Sequence, residues 1–185
     1  MSLRAGVSKK MSAQVIELLE RLAQAQAGAG RCMQPVAIVG PGNGGPKECL
    51  DAYEVANLLA AAGLPIVCGG RGGVMEAASR GAFDAQGIVV GILPEEDASA
   101  ANRYLTVALP TGMGEMRNAL IARSAVCLVA IGGGMGTLSE MALGLKWGKQ
   151  VFALHEEMRL PGVKVAGSVE QLLEWVTTWL LERNS

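Results

Sequence analysis

Three features of the chain predict a single α/β domain, a parallel β-sheet doubly wound by helices into a Rossmann-like three-layer sandwich. Short, continuously apolar segments alternate with helical stretches from residue 35 onward, the pattern of strands covered by helices on both faces of a parallel sheet. Glycine clusters stand directly behind three of those segments, where strand gives way to helix. The composition is also that of closely packed secondary structure: 25 of 185 residues are glycine, half are hydrophobic and only 4% are aromatic, against a usual glycine share of roughly 7%. Such a length corresponds to one domain on the scale of about 100–200 residues. It buries a core of roughly 70% of the unfolded surface without help from disulfides or a metal.

Each element has its own signal. Residues 1–10 read as an unstructured tail. From Ser12, a favoured N-cap type, Val15, Ile16, Leu18, Leu19 and Leu22 recur at helical spacing. This helix ends in a flexible joint, Ala27-Gly28-Ala29-Gly30, so residues 1–30 are expected as tail and helix, and residues 31–185 as a Rossmann-like nucleotide- or phosphate-binding domain. Val36–Val39 is the first predicted strand, followed by a helix over Leu50–Ala62. Leu64–Cys68 is the second, with a helix from Val74 to Ala85. Ile88–Leu93 and Leu105–Leu109 are the third and fourth, each stopped by a proline. A helix over Glu115–Ser124 leads to a fifth strand, Val126–Ile131, then a helix over Thr137–Trp147 and a sixth strand, Gln150–Leu154. A helix over Ser168–Arg183, with Trp175 and Trp179 one turn apart, closes the chain. Right-handed crossovers between parallel strands then wind the sheet on both faces.

Charge and cysteine content exclude several classes. Sixteen basic against seventeen acidic residues give a net charge of −1, with no basic surplus to bind a nucleic-acid backbone. Cys32, Cys49, Cys68 and Cys127 form no CxxC pair, and His155 is the sole histidine. No zinc ligand set arises from them, no metal site is expected, and the thiols read as small buried hydrophobes. No apolar run reaches the roughly 18 residues of a membrane span, and no secretory signal follows Arg4, Lys9 and Lys10. A cytoplasmic protein is expected.

In a parallel sheet every strand's carboxyl end lies at one edge, where ligands bind. The clusters there are Gly40-Pro41-Gly42-Asn43-Gly44-Gly45, Gly69-Gly70-Arg71-Gly72-Gly73 and Gly132-Gly133-Gly134-Met135-Gly136. Without a Cβ the backbone takes positive φ, and an anion approaches its N–H groups closely. The helix that follows aims its free N–H groups and dipole at the same place. Phosphate is the expected guest, and valine at Gly134 or Gly70 is expected to abolish binding while leaving a folded protein. Gly40, Gly42 and Gly45 match G-x-G-x-x-G formally, but the second strand is followed by no carboxylate for a ribose. Arg71 there suits a 2′-phosphate instead. A P-loop is excluded by Pro46 before Lys47 and by Glu48 in the Ser/Thr position. Thr137 is a candidate N-cap and phosphate ligand, and Thr137-x-x-Glu140 reads equally as a capping box or as the carrier of a catalytic carboxylate. Of Arg117 and Arg123, out of phase on one predicted helix, Arg117 near its start is the better ligand-facing candidate and Arg123 a surface pair.

The stretches Gly69-Gly70-Arg71-Gly72-Gly73-Val74-Met75, Gly91-Ile92-Leu93-Pro94 and Gly133-Gly134-Met135-Gly136-Thr137-Leu138-Ser139-Glu140 resemble the LOG (LONELY GUY) superfamily, also called lysine decarboxylase-like. The likeness runs from about Val36 to Leu154. It implies a Rossmann-like fold, a homo-oligomer (dimer or tetramer) and, in the enzymes, hydrolysis of the N-glycosidic bond of nucleoside 5′-monophosphates. Lysine decarboxylation is not implied. The enzymes' catalytic Arg and Glu match Arg117, fifteen residues before Gly132, and Glu140. A guanidinium there would hold a phosphate bidentately, and a carboxylate would stabilise developing positive charge or orient water. The chain departs from the enzymes' motif at Gly132, Asn118 and Val126, where they carry Pro, Lys and Asp. The run Gly112-Met113-Gly114-Glu115-Met116-Arg117-Asn118 is closer to the branch similar to molybdenum cofactor carriers.

The leading expectation is therefore a binding protein for a phosphorylated nucleotide-like or pterin-like molecule, with the molybdenum cofactor or a nucleotide as ligand and neither nucleic acid nor membrane as partner. Its binding residues are Gly40, Pro41, Gly42, Gly69, Gly70, Arg71, Gly72, Gly73, Met75, Gly133, Gly134, Met135, Gly136 and Thr137. The alternatives are a nucleoside 5′-monophosphate phosphoribohydrolase using Arg117 and Glu140, and an NADP-binding reductase using Arg71. The N-terminal apolar stripe and the helix carrying Met141, Ala142, Leu143, Leu145 and Trp147 offer surface for self-association or for packing on the sheet.

Overall fold

A computed structural model describes residues 11–27, 34–155 and 160–183. The expected tail, the glycines of the joint and Cys32 lie outside the described residues. Seven strands form one sheet in the order β4-β3-β2-β1-β5-β6-β7, every neighbouring pair parallel. They are β1 (Val36–Val39), β2 (Ile66–Cys68), β3 (Val89–Leu93), β4 (Val107–Pro110), β5 (Leu128–Ile131), β6 (Val151–Leu154) and β7 (Lys164–Ala166). The helices are α1 (Ala13–Gln26), α2 (Pro46–Ala61), α3 (Val74–Asp84), α4 (Asn118–Ser124), α5 (Met135–Lys146) and α6 (Val169–Arg183). The doubly wound sandwich is the observed fold.

Strand alternation divides the core into two layers. Val36 and Ile38 of β1 face one cluster with the buried residues of α1, α2, α3 and α6, while Ala37 and Val39 face a second with Ile121 of α4 and Met141 of α5. The second layer is built from small residues, among them Ala37, Ala130 and Ala153. They let α5 lie close: a Cβ added at Gly144 would stand 2.9 Å from Leu128 Cδ1. The alanines of this layer and Gly144 thus reflect the geometry of a helix seated on the sheet. The stripe on α1 packs within the chain itself, with Val15, Leu19 and Leu22 essentially inaccessible. Ser12 N donates to Glu170 Oε1 at 3.0 Å and Gln14 Nε2 to Glu174 Oε1 at 2.9 Å, fastening α1 to α6. Ser12 caps α1 as expected, its Oγ accepting from Val15 N.

The differences from expectation have physical causes. β2, β4 and β5 begin two residues later than their apolar runs: Leu64 and Val126 are buried and Leu105 is half-buried, but all three stand outside the ladder. α2 begins four residues early, at Pro46: proline suits the first helical position, and Glu48 Oε2 accepts from Gly45 N at 2.6 Å. The predicted helix over Glu115–Ser124 is instead a 3-10 turn, Gly114–Arg117, leading into α4. β7 escapes periodicity because it is a three-residue edge strand with Lys164 and Val165 exposed.

Candidate functional site

Strand order reverses beside β1, whose neighbours are β2 and β5. The crossover helices therefore leave to opposite faces and open a crevice at the strands' carboxyl ends. A cavity of about 560 Å³ opens there. The β1–α2 loop contributes Gly40, Pro41, Gly42 and Asn43, and the β2–α3 loop with the start of α3 contributes Arg71, Gly72 and Met75. The 3-10 turn and α4 bring Glu115, Arg117 and Asn118, and the first turns of α5 bring Gly134, Met135, Gly136, Thr137 and Glu140. All three glycine-bearing turns converge on one edge.

The glycines do different work. At Gly134 φ is 174°, and an added Cβ would meet nothing nearer than Pro41 Cβ at 3.9 Å. Its missing side chain is open space at the helix start. Gly73 has φ +65°, and a Cβ there would strike the Gly42 and Pro41 backbone at 2.5 Å, so it lets two loops cross. Gly69, Gly70, Gly73 and Gly133 do not line the cavity. Gly70, at φ +73°, turns its hydrogen towards Leu93 Cδ2, 2.7 Å from an added Cβ. Valine at this position would break packing rather than fill ligand space, which corrects the expectation from sequence.

α5 starts at Met135 with Gly134 as N-cap, and no side chain caps it. The amides of Met135, Gly136 and Thr137 are the orphan donors of a helix start, and Leu138 N is already bonded to Gly134 O at 2.8 Å. Thr137 is thus buried within the first turn, not the cap, and the capping-box reading fails because Glu140 turns to Arg117 instead. Donors and helix dipole together suit an anion at this end of the cavity.

Arg117 and Glu140 form the ionisable wall. Both are about 5% exposed, with Nη1 3.3 Å from Oε1. Arg117 Nη1 also donates to Asn118 Oδ1, and Asn118 Nδ2 to Ser139 Oγ at 2.9 Å. Gly69 leaves room for the guanidinium, since a Cβ there would stand 2.6 Å from Nη2. Burial pushes the Glu140 carboxyl up to about 8 against the opposing pull of Arg117, and Glu115 adds to the rise. Arg117 Nε is buried without a hydrogen-bond partner. Arg71 pairs with Glu95, Nε to Oε1 at 3.3 Å. Arg123 lies over the Trp147 ring, 5.3 Å from its centroid, as a cation–π contact rather than an ion pair.

Sequence reasoning passed over Asn43, Glu115 and Asn118 as lining residues. Asn118 carried a signal, standing beside Arg117 where the related enzymes have lysine. Glu115 stands in the same Gly112–Asn118 run, and Asn43 carried no signal beyond its position in the first glycine cluster.

Fold and cavity define the class: a Rossmann-like sandwich with a glycine-walled, anion-suited crevice at its switch point. Residues 33–175 match the SLOG cluster4 family model, and the chain belongs to that family. A solved molybdenum cofactor binding protein from Rippkaea orientalis aligns with TM-score 0.77 and 33% identity over 82% of this chain and 99% of its own. The molybdenum cofactor carrier protein of Chlamydomonas reinhardtii aligns with TM-score 0.72 and 30% identity over 80% and 99%. An uncharacterized protein of Archaeoglobus fulgidus is 35% identical over 143 residues, 77% of this chain and 94% of that protein. Among the described residues no helix is long and apolar enough to cross a membrane.

Proposed function

We propose that the chain binds the molybdenum cofactor, or a closely similar phosphorylated pterin, in the switch-point cavity. The observation that carries this reading is the uncapped start of α5 opening, with no side chain at Gly134, into a cavity of about 560 Å³. Volumes of about 300–1,000 Å³ are usual for small-molecule sites. The phosphate end takes the amides of Met135, Gly136 and Thr137, and Gly42 and Gly72 admit the ligand close to the backbone. The residues present fit such a group on a second count: Arg117 Nε is a buried donor awaiting an acceptor. The likeness to a cofactor binding protein and a carrier, each covered over 99% of its length, supports the same class of ligand.

The test is equilibrium binding of isolated molybdenum cofactor to the purified chain and to Gly134→Val. Saturable binding by the first and not the second supports the reading, and equal binding by both contradicts it. A second reading, hydrolysis of nucleoside 5′-monophosphates, is favoured by one observation, the buried Arg117–Glu140 pair with its raised carboxyl. Release of ribose 5-phosphate from AMP, GMP or CMP, lost in Glu140→Ala, would establish it. Two equally inert proteins would end it. Arg71, on which an NADP reading rested, is engaged by Glu95.

A further inference from the structure

Outside the switch-point crevice, the exposed side of α2 and α3 holds a second cavity of about 400 Å³, bounded by Tyr53, Tyr104, Glu76, Arg80, Leu50 and Cys49. Its lining is unusual for this chain. Seven aromatic residues occur in 185, and three of them, Tyr53, Phe83 and Tyr104, gather here, with the Phe83 and Tyr104 centroids 6.0 Å apart. Leu50 and Phe83 are 68% and 53% exposed, although the chain buries most of its other large apolar residues.

The rings are held without being buried. Tyr53 Oη donates to Asp84 Oδ2 at 2.9 Å, and Arg80 lies over the Tyr53 ring at 5.8 Å. Tyr104 Oη accepts from Arg103 Nη2 at 2.9 Å, with Arg103 5.1 Å from the ring centroid, and Tyr104 N donates to Asn102 Oδ1 at 3.1 Å. Gly81 holds the two helices together, since a Cβ there would stand 2.2 Å from Tyr53 O. Rings fixed in place lose little entropy when a ligand stacks on them. Sequence-tolerant stacking on such platforms is how aromatic side chains hold planar bases.

We propose that this cleft is a second ligand site, which takes a planar heteroaromatic ring of the nucleobase type against Tyr53 and Tyr104. Glu76 meets the ring's N–H groups and Arg80, which also pairs with Asp84 (Nε to Oδ2, 3.7 Å), reaches its acceptor nitrogens. The site is distinct from the switch-point cavity. The two are divided by the Gly72–Gly73 backbone, with Gly72 lining one and Gly73 the other.

Adenosine, which has no phosphate for the first cavity, is the probe. Saturation-transfer NMR on the full chain is expected to show contact to its ring protons. Tyr104→Ala and Tyr53→Ala are each expected to weaken binding about tenfold, with Tyr104→Phe retaining it. Gly134→Val leaves adenosine binding unchanged, which separates this site from the reading of the first cavity. The proposal is overturned if adenosine gives no saturable signal, or if Gly134→Val abolishes the signal while the tyrosine variants keep it. It is also overturned if light scattering shows a dimer that Leu50→Glu converts to monomer, because a second copy would then fill the cleft.

Discussion

Gly134 and Gly70 carry the same letter in two clusters of the same appearance, yet their surroundings require opposite consequences on substitution. At Gly134 the backbone is extended and the space beside it is empty. Valine there is expected to leave the thermal midpoint nearly unchanged while abolishing ligand binding. At Gly70 a side chain meets both a left-handed φ and Leu93, and valine should cost roughly 2–5 kcal/mol, read as an early midpoint in urea. Equal stability of the two variants would contradict this assignment. Glu140 gives a prediction in pH. Its carboxyl titrates near 8 in the fold against an ordinary value of 4.5, so the folded state binds more protons between those values and stability falls as pH rises through that window. The slope is at most about 1.4 kcal/mol per pH unit. Glu140→Gln should flatten it, as denaturant unfolding at pH 5.5 and pH 8 would show. Sequence revealed these residues as candidates but not their roles. The spacing of Thr137 and Glu140 is the same whether Glu140 folds back onto its helix start or reaches Arg117, and only the position of α4 decides between them.

Among the elements, the segment between β3 and β4 does more than connect strands. Asn102 clasps the β2–α3 loop: its N and Nδ2 both donate to Gly70 O, at 2.9 and 3.1 Å, and Nδ2 also reaches Arg71 O and Ser79 Oγ at 3.2 Å. That loop supplies Arg71 and Gly72 to the cavity and seats the Arg117 guanidinium against Gly69. Asn102→Ala should therefore destabilise the protein by about 1–3 kcal/mol and speed hydrogen exchange at the amides of residues 70–73. Unchanged exchange there would show that the clasp does not position the loop. No periodicity marks such a residue. Strands and helices were legible because burial imposes a period on their side chains, whereas a clasp is one polar side chain meeting backbone more than thirty positions away. The turn before α4 is not distinguished by sequence for a related reason, as helix and 3-10 turn share similar local sequence and differ in how the next element is seated.

For the whole molecule, the legible part is the topology. Apolar runs alternating with helices define a parallel sheet, and a parallel sheet places all carboxyl ends together, so the convergence of the three glycine turns follows from the fold class. What sequence does not encode is which of the converging groups face the space between them. Gly69 and Gly73 lie in the right turn but face Arg117 and a crossing loop, whereas Glu115 and Asn118 outside the glycine clusters line the cavity. In the proposed mode of binding, the uncapped start of α5 receives the phosphate of a pterin-type ligand. A crystal structure of the chain with molybdenum cofactor tests it most directly. Phosphate oxygens are expected within about 2.7–3.2 Å of the amides of Met135, Gly136 and Thr137. A phosphate bound elsewhere on the molecule, with those three amides facing only water, would contradict it.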